Sequence, residues 1–349
     1  MLHTLTQNQK VAEQVTSAKE LIDQFRKSSD HTKLLDADRY LEQARTVDPD
    51  YLRAIYYSGI VKDLLGKPAD APAFFDRIVG EARDASIRAD ALYNLGIAYY
   101  HQYHRDQLKR AEETFAEVAS TSSDVGLRTL AKANIGQTLA MRMHPTAEEA
   151  ELLKKPATAK LIKSEIRRAF DEAITIGKEV LESSASGVRS RSKREMLQKA
   201  KAIAQNAIGA ANMYFTDYLT DDTDEIRAHL EESAMYLTSA FQAMPKDWAI
   251  ACNLASVNLR FFARCPGVDR DVRLKEAEQL LTLVLDTLRP DYGFARYELG
   301  RLRRCAADFT EAKLQFQQAL AIDDRYRDVS KKKVELEIKR TEAGDVSFP

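Results

Sequence analysis

The chain has 349 residues, of which 44% are hydrophobic and 30% are charged, so it can bury a core and still present a polar surface. Glycine and proline, which break helices, number only 13 and 9, and this scarcity favours helices and argues against disorder on a large scale. The 52 basic and 53 acidic residues leave a formal net charge of −1, which excludes an overall field that attracts nucleic acid or an anionic membrane.

Targeting and membrane segments are not expected. The first residues lack a basic stretch followed by an apolar one, so they do not resemble a secretory signal, and no apolar run is long enough to cross a membrane. The three cysteines, Cys252, Cys265 and Cys305, form no CxxC motif and are odd in number, which is typical of reduced thiols. We therefore expect a cytoplasmic protein.

Apolar residues at helical spacing begin near the N-terminus. Two stripes predict a pair of helices before residue 50: Val11, Val15, Ala18, Ile22 and Phe25 in the first, and Ala37, Leu41, Ala44 and Pro49 in the second. Two further pairs follow with a shared spacing of small and large residues. Their markers are Ile55, Gly59, Ala71, Phe75 and Ile78, then Leu95, Gly96, Tyr99, Ala111, Phe115 and Val118.

The middle of the chain is less regular. Ile135 and Gly136 mark another first helix, but the matching second helix, with Ala169, Ala173 and Ile176, comes late. The insertion at 144–158 has Thr146 and Glu149 at capping-box spacing, which predicts a short charged helix. Residues 183–194 have the composition of a loop.

The C-terminal part returns to the regular pattern. Helix pairs are predicted at 196–218 with 225–243, around Leu254 with Ala277 and Leu281, and over 293–326, and a last helix at 327–343. Residues 280–288 are apolar enough for a strand, but their place after Ala277 favours a helix. In the pair over 293–326, Leu299, Gly300, Ala312 and Phe316 repeat the spacing found around Gly96.

This spacing, with a leucine–glycine pair in one helix and A-x3-F in the next, resembles the tetratricopeptide repeat family. The resemblance covers most of the chain and is most specific near Gly96 and Gly300. It implies an all-α, right-handed superhelical solenoid of about seven antiparallel helix pairs with a C-terminal capping helix. In such a repeat the small residue lets two helices approach closely, and the first helices line a concave face.

The predicted organisation has two halves. An N-terminal half at 1–182 contains about four helix pairs and the insertion at 144–158, and a flexible basic loop follows at 183–194. The C-terminal half at 195–343 includes the capping helix, and 344–349 form a tail.

Catalytic and metal-binding patterns are absent from the sequence. His101 and His104 lie three residues apart, but no further ligand is evident nearby, so a solvated turn is the better interpretation. Cys305 follows Arg303 and Arg304, yet no histidine close in sequence supplies a base. We expect no catalytic residue, no metal and no cofactor.

The resemblance places certain first-helix residues toward a groove. The asparagines Asn94, Asn134 and Asn253 recur at one repeat position, where an amide can pair with a peptide backbone or bond within the array; both readings stay open. The other candidate residues of the partner site are Tyr56, Tyr93, Ile97, Tyr100, Gln137, Tyr297, Arg301 and Arg304. The basic residues with which the best-known members of the family clamp a C-terminal carboxylate are missing.

These patterns favour an adaptor or regulatory subunit that binds a protein or peptide, with its main partner in the groove of the second to fourth repeats. The alternative is a helical-repeat sensor of nucleic acid or nucleotide, using basic clusters at 189–201 and Arg301/Arg304. An enzyme on a helical scaffold is the least favoured class. No membrane partner is expected, and a homo-oligomer is left open.

Overall fold

The computed structural model describes residues 2–145, 147–184, 190–267, 269–322 and 331–346. The protein is 83% helical, and no strand occurs in these ranges. An ordinary globular domain is about one third helical. The all-α class predicted from the sequence is therefore confirmed.

Sixteen α-helices lie in the described ranges. They are α1 (Leu2–Ser28), α2 (His31–Val47), α3 (Leu52–Leu64), α4 (Pro72–Glu81), α5 (Ala85–Tyr100), α6 (Arg105–Thr121), α7 (Val125–Arg142), α8 (Ala147–Leu153), α9 (Pro156–Glu182), α10 (Arg191–Tyr218), α11 (Thr223–Ala243), α12 (Trp248–Arg264), α13 (Arg270–Leu283), α14 (Gly293–Cys305), α15 (Phe309–Ala321) and α16 (Lys331–Glu342). A π-helical turn at Val284–Leu288 directly continues α13.

The chain divides into two compact units, and the boundary lies inside α7. Unit 1 is Met1–Arg128, in which α1 packs with α2, α3 with α4, and α5 with α6. Its core includes Val15, Leu34 and Leu41, which are buried at the contact of the first two helices. Three antiparallel pairs therefore make up the described part of unit 1.

Unit 2 is Thr129–Pro349. Its first pair is α7 with α9, because the backbone at Gly136 lies against Ala173 and Ile176 of α9, and the short α8 is the helix predicted in the insertion. The later pairs are α10 with α11, α12 with α13, and α14 with α15, and α16 packs on α15. The described helices thus form the seven pairs and the final helix that the spacing predicts.

Aspartate side chains begin many of these helices. Asp30, Asp84, Asp222 and Asp247 each accept a hydrogen bond from a backbone N–H of the first turn, which would otherwise lack a partner within the helix. Two other helices, α4 and α9, begin with a proline, whose fixed φ suits a first turn and which has no N–H to satisfy.

Glycines let the paired helices approach closely, as the repeat spacing predicts. A Cβ added to Gly59 would lie 2.7 Å from the Phe75 ring, and one added to Gly96 would lie 2.6 Å from the Phe115 ring. At Gly300 the same distance to the Phe316 ring is 2.7 Å. In these three pairs the large side chain of the second helix occupies the space that the missing Cβ leaves.

The region predicted as a loop at 183–194 is partly helical. Helix α9 ends at Glu182 and α10 begins at Arg191, where the Ser190 side chain accepts a hydrogen bond from the backbone of Lys193. Residues 185–189 lie outside the described residues. Arg191, Lys193 and Arg194 are therefore on the first turn of a helix and not in a loop.

Candidate functional site

Four predicted site residues lie together on α3 and α5 of unit 1. Tyr56, Tyr93, Asn94 and Ile97 are all half-buried, and we call them the α3–α5 surface. Asn94 joins the two helices, because its Nδ2 donates a hydrogen bond of 2.9 Å to the Tyr56 hydroxyl. The same Nδ2 donates a bond of 2.8 Å to the carbonyl of Asp90, one turn earlier. Asn94 therefore fixes the spacing of two neighbouring first helices.

Aromatic packing holds the Tyr56 ring at this position. Its ring meets those of Tyr57 and Phe75 edge to face, with centroids 5.4 Å and 6.0 Å apart. Burial, and then the negative charge of Asp90, raises the pKa of Tyr56 to about 12. The hydroxyl thus keeps its proton at neutral pH and can donate it in a hydrogen bond.

The other two predicted tyrosines of unit 1, Tyr93 and Tyr100, differ in how far they are exposed. Tyr93 tilts against the Phe115 ring at 5.7 Å between centroids and is half-buried. Tyr100 is only 8% exposed and packs against His101 and Tyr103. Tyr100 consequently belongs to the interior and adds little to a binding surface.

The two predicted asparagines of unit 2 bond within the protein. Asn134 is buried, and its Nδ2 donates a bond of 2.9 Å to the carbonyl of Leu130. Asn253 Nδ2 donates a bond of 3.0 Å to Asn206 Oδ1 on α10. Gln137, three residues after Asn134, is half-buried. Each of these asparagines therefore donates at least one amide proton within the array.

Arg301 and Arg304 do not form an exposed basic face. Arg301 is 4% exposed and pairs with Glu298 at 3.0 Å on the same helix. Arg304 is fully buried and pairs with Glu337 of α16 at 2.7 Å. Tyr297, which was expected on a groove, is 1% exposed and packs on Phe316. The two arginines differ from the expectation because each is buried beside an acidic partner, Glu298 on the same helix and Glu337 on α16.

An ion pair that sequence analysis missed lies near these arginines. Arg260 of α12 donates two hydrogen bonds to Asp217 of α10, of 3.0 Å from Nε and 2.7 Å from Nη2. Although burial alone would raise it, the pKa of Asp217 is lowered, because Arg260 stabilises the carboxylate. Arg264 adds a bond of 2.6 Å to the carbonyl of Thr216. The partners are far apart in sequence, so no local motif indicates the pair.

The last helix also turns charged residues inward. Lys333 of α16 lies with its Nζ 3.4 Å from His144 Nε2 and 5.7 Å from the Tyr297 ring centre. Burial, and then the charge of Arg301, lowers the pKa of Lys333 to about 8. Burial and the charge of Lys333 lower the pKa of His144 to about 3, so His144 is neutral at physiological pH.

The basic cluster predicted at 189–201 lies on α10, apart from Arg189, which is outside the described residues. Arg191 is exposed and pairs with Glu195 at 2.8 Å. Lys193, Arg194 and Lys199 are also exposed. These side chains make the N-terminal part of α10 basic and solvent-exposed.

The residues considered for metal binding or nucleophilic catalysis have other environments. His101 Nδ1 lies 2.9 Å from Asp63 Oδ1, and the part of the chain that the structure describes holds no group of three or more metal-ligating side chains. Burial raises the pKa of the Cys305 thiol although Arg301 and Arg304 are near. A raised pKa disfavours the thiolate, which is the nucleophilic form.

No described helix combines the length and the apolar character that a membrane-crossing segment requires. No protein-family model matches the sequence, and no curated protein matches it.

Two solved structures match the chain over most of its length. A tetratricopeptide repeat protein from Parabacteroides merdae is 14% identical, with 94% of this chain and 99% of that chain covered and a TM-score of 0.44. The tetratricopeptide repeat domain of P58(IPK) is 14% identical, with 96% and 98% covered and a TM-score of 0.33. The chain is similar to tetratricopeptide repeat proteins. That likeness concerns the fold, and the candidate site depends on the contacts described above.

Proposed function

We propose that this chain is a non-catalytic adaptor or regulatory subunit of the cytoplasm, and that it binds an extended segment of a partner protein on the α3–α5 surface. The observation that carries the proposal is the hydrogen bond between Asn94 and Tyr56. It leaves one acceptor and one donor of this pair available to a ligand.

The acceptor is Asn94 Oδ1. Both protons on Asn94 Nδ2 are used, by Tyr56 and by the Asp90 carbonyl, and no group among the described residues donates to Oδ1. The donor is the Tyr56 hydroxyl, whose oxygen accepts from Asn94 and whose proton is free to be donated. An extended peptide presents a backbone N–H and a C=O in alternation, so it can satisfy both groups.

Apolar surface lies beside these polar groups. Tyr93 and Ile97 are half-buried on the same helix as Asn94 and expose part of a ring and part of a branched side chain. Tyrosine is enriched at protein interfaces because it combines apolar area with a hydroxyl group. The amide and the hydroxyl fix the register of a bound segment, and Tyr93 and Ile97 provide the burial.

The test begins with the full chain, which is used to capture partners from the native host, and mass spectrometry identifies them. The purified partner is then titrated against the chain and its variants. Tyr56→Phe keeps the ring and removes the donor, and Asn94→Ala removes the acceptor. Each is expected to weaken binding about ten- to hundred-fold, because a buried group of the partner loses its hydrogen bond. Lys109→Ala, at an exposed position of α6, is the matched control and should leave the affinity unchanged.

All variants must keep the helical circular dichroism spectrum of the wild type. If Tyr56→Phe and Asn94→Ala bind the partner as tightly as Lys109→Ala does, the α3–α5 surface is not the site.

The exposed basic residues of α10 keep nucleic acid as the second candidate partner. Four of the cations in the predicted cluster are solvent-exposed, namely Arg191, Lys193, Arg194 and Lys199. Binding through phosphates weakens steeply with salt, whereas binding of a peptide on the α3–α5 surface depends on salt much less. A salt titration of the purified complex therefore separates the two functions.

A further inference from the structure

A cavity of about 300 Å³ opens in unit 1 where the end of α2 meets α3 and α4. It shares no lining residue with the α3–α5 surface. The residues that line it are Arg45, Pro49, Ile55, Ala73, Phe74 and Arg77. Two guanidinium groups therefore face a small space whose other walls are apolar.

Arg45 lacks a counter-ion. Its guanidinium lies over the Phe74 ring at 5.1 Å, and within the described ranges no carboxylate pairs with it. Its Nε is enclosed by protein and has no hydrogen-bond partner. Taking a charged group out of water without a partner is unfavourable, and an anion in the cavity that pairs with the rest of the guanidinium would offset part of this cost.

Arg77 is held in place by three partners. Its Nε donates to Glu81 at 2.9 Å, Nη1 donates to the Pro49 carbonyl at 3.0 Å, and Nη2 donates to Asp50. A guanidinium carries five N–H donors, so two remain for a ligand. Glu81 and Asp50 both pair with Arg77, so Arg45 is the lining arginine that has no ion-pair partner among the described residues.

The apolar walls restrict what can accompany the anion. Ile55 is buried, and the Phe74 ring is half-buried beneath Arg45. The volume is at the lower end of the range for small-molecule sites and fits a group about the size of an aromatic side chain. A doubly charged phosphate is poorly matched, because a single unpaired arginine faces it and the carboxylate of Asp50 lies close by.

We infer that this cavity binds a carboxylate carried on an aromatic or branched apolar group, with the carboxylate on Arg45 and the apolar group against Ile55 and Phe74. A free small acid and the C-terminal residue of a peptide share this chemistry.

The test uses the full chain and 3-phenylpropanoate, followed through the methyl signals of Ile55 and the Nε–H signal of Arg45 by NMR. We expect a dissociation constant in the millimolar range or tighter, which is typical of a ligand of this size. The neutral isostere 3-phenylpropanamide should bind at least about ten-fold more weakly, since it cannot pair with Arg45.

Two variants locate the site. Arg45→Gln should weaken 3-phenylpropanoate binding about ten- to hundred-fold, while Arg53→Gln, at an exposed arginine of α3, should leave it unchanged. Ala73→Leu at the exposed rim should block the cavity without disturbing the core, so the test does not depend on the stability of the Arg45 variant. The inference is overturned if 3-phenylpropanoate does not bind, if the amide binds equally well, or if Ala73→Leu binds it with unchanged affinity.

The source of the carboxylate is found with two peptides that end in phenylalanine, one with a free C-terminus and one amidated. If the free peptide binds more tightly than 3-phenylpropanoate and the amidated one does not bind, the ligand is a chain terminus. If the free peptide binds more weakly than 3-phenylpropanoate, the ligand is a free small acid.

Discussion

Two helical glycines of unit 1 have opposite surroundings at the scale of single atoms. A Cβ on Gly96 would lie 2.6 Å from Phe115, which is fully buried, whereas nothing lies within 4 Å of a Cβ on Gly80. Neither glycine has a positive φ, so alanine is compatible with both backbones. The effect of a methyl group therefore depends on packing alone.

We expect Gly96→Ala to lower the free energy of unfolding by about 1–3 kcal/mol, because Phe115 has no space into which it can move. Gly80→Ala should raise it by up to about 1 kcal/mol, because alanine is the better helix former. Urea unfolding followed by circular dichroism measures both. Equal effects of the two substitutions would show that the contact with Phe115 does not limit the approach of α5 and α6.

The same reasoning applies to Gly300 in unit 2. Leucine at this position must displace the Phe316 ring, which is 2.7 Å from the added Cβ, and should cost about 1–3 kcal/mol. A thermal unfolding curve identical to that of the wild type would contradict this expectation.

Sequence could predict which positions carry amides but not what those amides bond to. Asn94, Asn134 and Asn253 occupy one repeat position, yet Asn94 bonds to Tyr56, Asn134 to Leu130 and Asn253 to Asn206. The partners of Asn94 and Asn253 on other helices depend on which helix packs alongside, and the repeat position does not specify this. Asn134 bonds to a carbonyl of its own helix, as Asn94 also does through Asp90.

At the scale of elements, one buried ion pair joins α14 to the final helix. Arg304 is fully buried, Glu337 is 2% exposed, and their charged atoms lie 2.7 Å apart. Removing Glu337 takes the carboxylate away from the buried Arg304, and removing Arg304 leaves Glu337 with the longer contact of 3.6 Å to Arg340, whereas replacing both with apolar residues removes both charges of the pair. The single replacements and the double replacement should therefore have different effects on the free energy of unfolding.

We expect Glu337→Leu alone and Arg304→Met alone each to cost about 3–5 kcal/mol, and the double variant to cost much less than the sum of the two. A double-mutant cycle by denaturant unfolding gives the coupling energy. Additive effects would mean that the charges act independently and that α16 is held by its apolar residues.

His144 follows α7 and meets Tyr214 and Tyr218 of α10 edge to face. The pKa of His144 in the folded protein, about 3, lies below the usual histidine value. As pH falls, His144 is therefore protonated in the unfolded chain before it is protonated in the folded one. Neutral His144 therefore makes its full contribution to the free energy of unfolding above about pH 6.5, and this contribution is lost as pH falls toward 3.

Between pH 6.5 and 5, the unfolding free energy of the wild type should fall more steeply than that of His144→Phe. The difference in slope is at most about 1.4 kcal/mol per pH unit, the value for one proton. Denaturant unfolding at several pH values measures both slopes. Parallel lines would show that His144 does not remain neutral in the folded protein.

Helix positions were largely predictable, and long-range charge pairing was not. The spacing around Gly59, Gly96 and Gly300 predicted three pairs because each glycine and its aromatic partner lie within one repeat. Arg301 and Arg304 suggested an exposed basic face because their partners cannot be read from charge pattern alone. Glu298 is three residues away but on the buried side, and Glu337 belongs to another helix.

At the scale of the whole molecule, stability in a repeat array comes from each pair and from its contacts with neighbouring pairs. A local change should therefore have local effects. We expect Gly96→Ala to accelerate amide hydrogen exchange in α5 and α6 and to leave exchange in α14 and α15 unchanged. Mass spectrometry of peptic peptides measures this directly. A uniform increase along the chain would instead indicate that the protein unfolds as one cooperative body.

The boundary between units 1 and 2 lies inside α7, before residues 183–194, which sequence composition favoured as the division. Composition identifies residues that favour loops, while a compact unit depends on which helices pack together.

The π-helical turn at Val284–Leu288 has a consequence for changes in chain length. An α-helix that ends in a wider turn accommodates one additional residue without altering the helix before it. Here Val284 and Leu285 are both buried. Thr287 is exposed in the same turn, and its deletion would let regular α-helical geometry extend toward Arg289. We expect the chain to tolerate the loss of one residue at this point, with the next repeat keeping its place.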